Sequence, residues 1–415
     1  MTEEVGVVRR IVWRDILPWL IIFRAFRISV SLPILSLATV GWLLTPIGTQ
    51  IASSLFLGND DIVATGGTTP VNDFISESEL LQMIPGISTF TSASNPISHV
   101  YQHFTDPFVQ LFSRSNSIRE SAFHLFRGAW SVAIWAFFAG AITRIATVQL
   151  GREERVDLRS AITYATRQYG WSFVAPFFPL FGVLLASLPL VALGFLMRAE
   201  VGMVFAGIVW PFALLGGLAM ATLLLGLLAG WPLMWPTISS EEHGDAFEAF
   251  SRSFSYIFQR PLQYIFYLLL AGLIGSIGWV LVSHLSEAVI ELTYFGTSWG
   301  ATNDRIELVP FGDYTGMLGT GVKLIRMFEG LVRTVAMAFH FSYFFCVLTA
   351  IYLVLRRDVD KTDFDEVFIE DDKPSYSLPP LESNEAASSA VRSETEEAGD
   401  DSRVSEDRGE DADGG

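Results

Sequence analysis

The chain has 415 residues, of which 51% are hydrophobic and only 17% charged, with a mean hydropathy of +0.41. A soluble domain carries roughly a quarter charged residues, so the deficit points to lipid as the solvent. The net charge of −17 is local: Asp358 to Gly415 hold 20 acidic and 5 basic residues, while the rest is nearly neutral and has no basic stripe, which excludes a nucleic-acid binder.

The opening, MTEEVGVVRRIVWRDILPWLIIFRAFR, is not a signal peptide, because Asp15, Arg24 and Arg27 interrupt its apolar run and no small-residue cleavage site follows. It reads as a retained cytoplasmic segment. Val8, Ile11, Val12 and Ile16 form an apolar helix face opposite Arg10 and Arg14, ended by Pro18 or running on to Arg27.

A membrane-crossing helix needs about 20 mostly apolar residues. Six stretches qualify: within Trp19–Ile47, near Gly128–Leu150, near Trp171–Leu196, within Val201–Trp235, near Leu262–Ser283 and near Leu331–Leu355. Pro211 is a candidate bend in the fourth. Lys and Arg concentrate in the N-terminal arm, in the second-to-third and fourth-to-fifth connections, and after the sixth span. The positive-inside rule therefore places those segments, and both termini, in the cytoplasm.

The first external segment, Gly58–Glu120, is polar and rich in turn signals such as TGGTTP. The second is Leu285–Phe328. The two are expected to pack together as a cap, with Leu80–Ile84 and Tyr101–Phe112 as short helices. His99, His103 and Asp106 in the first have i, i+4, i+7 spacing, which puts three metal-capable side chains on one helix face. His284, Glu287 and Glu291 have i, i+3, i+7 spacing beyond the fifth span. These six are candidate metal ligands if the two loops converge; the plainer reading makes each set the wet face of a short helix.

Two connections on the other side are amphipathic at the helical period. In REERVDLRSAITYATRQYGW, Arg155, Arg159, Thr163 and Arg167 oppose Leu158, Ala161, Ile162, Ala165 and Tyr169, with Gly170 as terminator. In DAFEAFSRSFSYIFQRP, Phe247, Phe250, Phe254 and Phe258 oppose Glu248, Arg252, Ser255 and Gln259. Ser239 with Glu242 is a candidate capping box, and Glu248–Arg252 a favourable i, i+4 pair. Helices with one apolar face, abutting spans, lie on the membrane surface and meet lipid headgroups.

The fold predicted is all-α and polytopic: six transmembrane helices in three hairpin units, each preceded by a cytoplasmic surface helix. The units are 1–150, 151–236 and 237–357. A disordered acidic tail follows from 358 to 415; it is either solubilising or a dock for a basic protein partner. The alanine-containing amphipathic segment with its Arg-Ser pair, DAFEAFSRSFSYIFQRP, running straight into a span, resembles the repeated unit of the membrane domain attached to some bacterial glycerophosphodiester phosphodiesterases. The resemblance covers residues 151–283 and implies a helical membrane fold. It carries no catalytic residues, because the soluble phosphodiesterase domain has no counterpart in this sequence.

Within the spans, Arg144 is expected to snorkel to the cytoplasmic headgroups, Glu329 and Arg333 to pair at i, i+4, and His340 to stay neutral and donate to a carbonyl; the alternative for any of them is a transport or proton-relay role. Gly226 with Gly230, and the line Gly272, Gly275, Gly278, allow close helix contact. Cys346 is the sole cysteine, so no disulfide forms within the chain. HExxH, GxSxG, Walker and CxxC motifs are absent, so no cofactor and no catalytic residue is expected. The leading functional expectation is a membrane scaffold or lipid- and partner-binding module. The alternatives are a small-solute or lipid transporter and a metal-dependent hydrolase.

Overall fold

The computed structural model describes residues 17–57, 95–111, 116–241, 244–301 and 316–368. Every regular element among them is helical. A 3₁₀ turn at Pro18–Leu20 opens into α1 (Ile21–Ser29). There follow α2 (Leu32–Phe56), α3 (Pro96–Gln110), α4 (Ile118–Gly151), α5 (Leu158–Val174) and α6 (Phe178–Leu196). The last four are α7 (Glu200–Ser240), α8 (Ala246–Gln259), α9 (Pro261–Ser298) and α10 (Gly316–Asp360). Among the described residues, six stretches are helical, long and apolar enough to cross a membrane: α2, α4, α5 running through a 3₁₀ turn into α6, α7, α9 and α10. The expected apolar helix at Val8–Ile16, the Leu80–Ile84 helix and the tail beyond Phe368 lie outside the described residues.

α10 is the axis of the bundle. Every residue from Ala338 to Leu355 is buried, against α1, α2, α4, α7 and α9. Glycines let these neighbours close in. A Cβ on Gly275 would lie 2.5 Å from the Tyr343 ring, whose hydroxyl donates to the Ala271 carbonyl at 2.7 Å. A Cβ on Gly48 of α2 would lie 2.0 Å from Trp130 of α4. The hairpin of α6 and the first half of α7 is the opposite case. It packs on itself where Gly216 meets Leu190 and Gly182 meets Leu223, and leaves Leu184, Leu185, Phe205, Ile208 and Phe212 exposed.

Prolines explain several long-range hydrogen bonds. A proline inside a helix has no N–H for the carbonyl four residues back. Pro232 thereby strands the Leu228 carbonyl, which accepts from Tyr101 Oη of α3 at 2.9 Å; the next carbonyl, Ala229, accepts from Tyr264 Oη of α9 at 2.7 Å. Pro176 strands the Ser172 carbonyl, and Trp235 Nε1 of α7 donates to it at 2.8 Å. The C-terminus of α7 leaves carbonyls free in the same way. Tyr164 Oη donates to Ile238 O at 2.7 Å and Arg144 Nη1 to Ser239 O at 3.0 Å, with the Arg144 guanidinium 4.3 Å above the Tyr164 ring.

Several expectations are corrected. The first crossing helix is Leu32–Phe56 rather than a run within Trp19–Ile47, because the chain breaks after Ser29 and restarts at Leu32. Residues 96–110 of the first insertion are seen packed on the bundle helices. They form α3, which packs on α4, α9 and α10, because Val100 and Phe104 demand burial. Arg144 does not snorkel; it is buried and caps α7. Ser239 lies inside α7, so it caps nothing, and Asp245 is the N-cap of α8, accepting from Glu248 N at 2.7 Å. α5 passes through Gly170 to Val174. Arg333 pairs across helices with Glu287 at 3.1 Å rather than with Glu329, which accepts from Tyr294.

Candidate functional site

α3 organises the interior. Asn95 caps it, accepting from Ile97 N at 2.9 Å and reaching the Gly272 carbonyl of α9 with Nδ2 at 3.5 Å. Gly272 lies eleven residues into α9, about 16 Å along its axis, so α3 starts deep inside the bundle. Its far end returns to the level where α4 begins: Asn116 Nδ2 donates to Gln110 O at 2.7 Å. A capping box of Ser117 and Glu120 opens α4 there.

Two apolar crevices flank α7 where α3 crosses it. The first, of about 470 Å³, is walled by Phe104 and Phe108 of α3, Phe177 and Leu180, and Leu224 and Trp231 of α7. The second, of about 560 Å³, has Tyr101, Leu225, Pro232, Phe258, Tyr264 and Phe344 among its walls. Leu225 and Leu228 belong to both, so one ridge of α7 separates two grooves. Arg260 is exposed at the α8–α9 corner, between Phe258 and Pro261 of the second crevice. A third crevice, of about 500 Å³, lies between the far ends of α9 and α10, beside Tyr294 and Glu329.

The phenylalanine face of α8 divides its labour. Phe254 fills the space over Gly226, where a Cβ would lie 2.1 Å from its ring, and Phe250 packs on Phe178 with ring centroids 5.3 Å apart. Phe247 and Phe258 stay exposed. The apolar face therefore serves the protein as much as any lipid. On the opposite face Arg252 lies 2.9 Å from Glu248, 2.9 Å from Asp360 and 3.3 Å from Glu241. Burial weighs against the Arg252 cation, but its hydrogen bond with Tyr256 and the Glu241 carboxylate outweigh that and raise its pKa. Glu241 also accepts from Tyr352 Oη at 2.7 Å and pairs with Arg356 Nε at 2.8 Å, a contact of charges rather than an aligned hydrogen bond. This network closes one end of the bundle, called here the charged end. Arg159 and Arg167 stand exposed on α5, and Arg155 in the connection before it.

The six candidate metal ligands fall in two places. His99, His103 and Asp106 face inward from α3. The His99 ring is 4.5 Å from that of His340, between centroids, and His103 Nε2 is 3.3 Å from Ser131 Oγ. His284 Nδ1 is 2.7 Å from its own helix's Val280 O, Glu287 is held by Arg333, and Glu291 lies one turn beyond on α9. Among the described residues no three His, Cys, Asp or Glu side chains form a group able to hold a metal ion. Reading from sequence missed the meeting of His99 with His340, 241 positions apart. It also missed both crevices and the Glu241–Arg356–Tyr352 cluster. The sequence signals present were Pro232, which demands a donor, and the glycines opposite the phenylalanines.

Compared with known proteins, the chain matches no family model, no curated protein and no solved structure.

Proposed function

We propose that this chain is a six-span protein of the cytoplasmic membrane that binds phospholipid of the inner leaflet, holding acyl chains in the two crevices beside α7. The single observation that carries the reading is that pair of apolar grooves, set on either side of one ridge. α1, α5 and α8 serve as surface helices of three hairpin units. In support, Phe254 points away from the charged end toward Gly226 while Arg252 reaches Asp360, and Phe26 points toward Gly278 while Arg24 meets Glu153 at 2.9 Å. α8 and α1 thus each turn aromatic rings one way and cations the other, as a helix lying in an interface does. The charged end, with Arg24, Arg155, Arg159, Arg167, Arg252, Arg260, Arg356 and Arg357, is the cytoplasmic side by the positive-inside rule. Arg260 at the mouth of the second crevice supplies a cation for a headgroup phosphate. The acidic tail is a solubilising segment or a dock for a basic protein partner, and both termini are cytoplasmic.

The test is retention of lipid. Full-length protein purified in mild detergent, and a variant with Ala229→Phe filling the second crevice, are compared by native mass spectrometry. A bound phospholipid on the first and a marked loss on the second support the reading. Equal lipid on both, or none on either, refutes it.

A further inference from the structure

α3 and α4 meet along a line of ionisable side chains. α3 contributes His99, His103 and Asp106, three residues on one face. α4 contributes Glu120, His124, Arg127 and Ser131, again at steps of three or four. The two rows face each other. His103 touches Ser131, and the Arg127 charge acts on His103, Asp106 and His124, while that of Glu120 acts on His124. The line begins at the exposed Ser117–Glu120 cap and ends at His99 against His340 of α10.

Four polar atoms on this line, His99 Nδ1, Asp106 Oδ1, His124 Nδ1 and His340 Nε2, are buried without a protein partner. His340 is 1% exposed and His124 4%. An unmet polar atom in a hydrocarbon setting costs several kcal/mol, so buried ones are met by protein or by internal water. Here protein does not meet them, and four such atoms follow one path. His99 and His103 keep part of their surface accessible. Toward the charged end the path stops. Phe341 is stacked on Trp135 with centroids 4.2 Å apart, and Phe344 and Phe345 lie against Trp231 and Trp235.

We propose that the α3–α4 seam is a hydrated, blind channel through which protons from the Ser117 side reach the His99–His340 pair, a protonation site inside the bundle. The pair takes one proton, because two imidazolium rings at this separation repel. The ionisable groups facing it come from α3, as His103 and Asp106, and from α4, as Arg127. α2, α9 and α10 bring Trp42, Trp279 and Phe341, none of which titrates. Asp106 is the carboxylate on the route and offsets part of the added charge.

Trp279 reports on the site, since its ring lies 4.0 Å from His340 and an imidazolium in contact quenches indole emission. The full chain in phospholipid nanodiscs is titrated from about pH 8 to about pH 5 with tryptophan emission recorded. Water at the pair lets an imidazolium form as the pH falls, whereas a dry pair stays neutral throughout. The expected result is a quench across that range, smaller in Trp279→Phe, which leaves only Trp42 beside the pair, and absent in His340→Gln. After a stopped-flow pH jump, Ser131→Val slows the quench about tenfold, as one added unit of barrier does. A flat wild-type curve overturns the proposal, as does a quench of full wild-type size in Trp279→Phe. That variant leaves the histidines in place, so the test stands if His340→Gln fails to fold. An unchanged rate in Ser131→Val overturns the seam as the route.

Discussion

Tyr101→Phe removes one hydroxyl and tests why α3 is held against α7. In the wild-type chain the Leu228 carbonyl has no helical donor, because its partner position is Pro232, and Tyr101 Oη supplies the only hydrogen bond shown for it, at 2.9 Å. Deleting that donor in an apolar setting leaves the acceptor unmet, at a cost of about 1–3 kcal/mol. In a Pro232→Ala background the alanine N–H is restored four residues from Leu228, so the same deletion costs what an ordinary interhelical bond in a membrane protein does, about 0.6 kcal/mol. The coupling between the two substitutions is therefore about 0.4–2.4 kcal/mol. Equilibrium unfolding of the four proteins by SDS in mixed micelles, followed by tryptophan emission, reads it directly. If Tyr101→Phe costs the same with and without the proline, the stranded carbonyl is not what α3 satisfies, and the argument fails.

Other substitutions test other contacts. Glu241→Ala leaves Arg356 buried with its charge partner gone, and should lower stability by about 3–5 kcal/mol in the same assay; Glu241→Asp should recover part of it. Arg144→Met keeps length and removes the cation at the end of α7, with an expected loss of about 1.5–3 kcal/mol. Gly226→Ala drives a methyl into the Phe254 ring and should cost about 1–3 kcal/mol by thermal unfolding in detergent, relieved when Phe254→Leu is added. Arg24→Ala, by contrast, removes an exposed pair with Glu153 and should change stability by less than about 1 kcal/mol.

The spans were legible because length and hydropathy act locally, and a run such as Gly128–Leu150 declares itself without help from the rest of the chain. α3 was not, since its fifteen residues are too few to cross and its polar positions resemble a wet surface. Only α4, with Ser131 opposite His103, and α10, with His340 opposite His99, turn that face inward. The period of Phe247, Phe250, Phe254 and Phe258 named the apolar face of α8 correctly. It could not say that Gly226 and Gly230, read separately as a helix-contact motif, were the hole that Phe254 fills. Arg144 misled for a related reason. Its distance from the cytoplasmic end suggested reach to headgroups, and the free carbonyls of α7 that it meets exist only once α7 has docked.

The axis of the bundle is also the last of these helices to be made. A ribosome feeding the chain into the bilayer releases α2, α4, α7 and α9 before Gly316–Asp360 exists to gather them. Until then Glu241 lacks Arg356 and Tyr352, His99 lacks His340, and α2 and α9 lack the surfaces they bury on α10. Maturation therefore waits on a single late insertion, and a chain halted before residue 316 holds helices threaded through the membrane with nothing to close around.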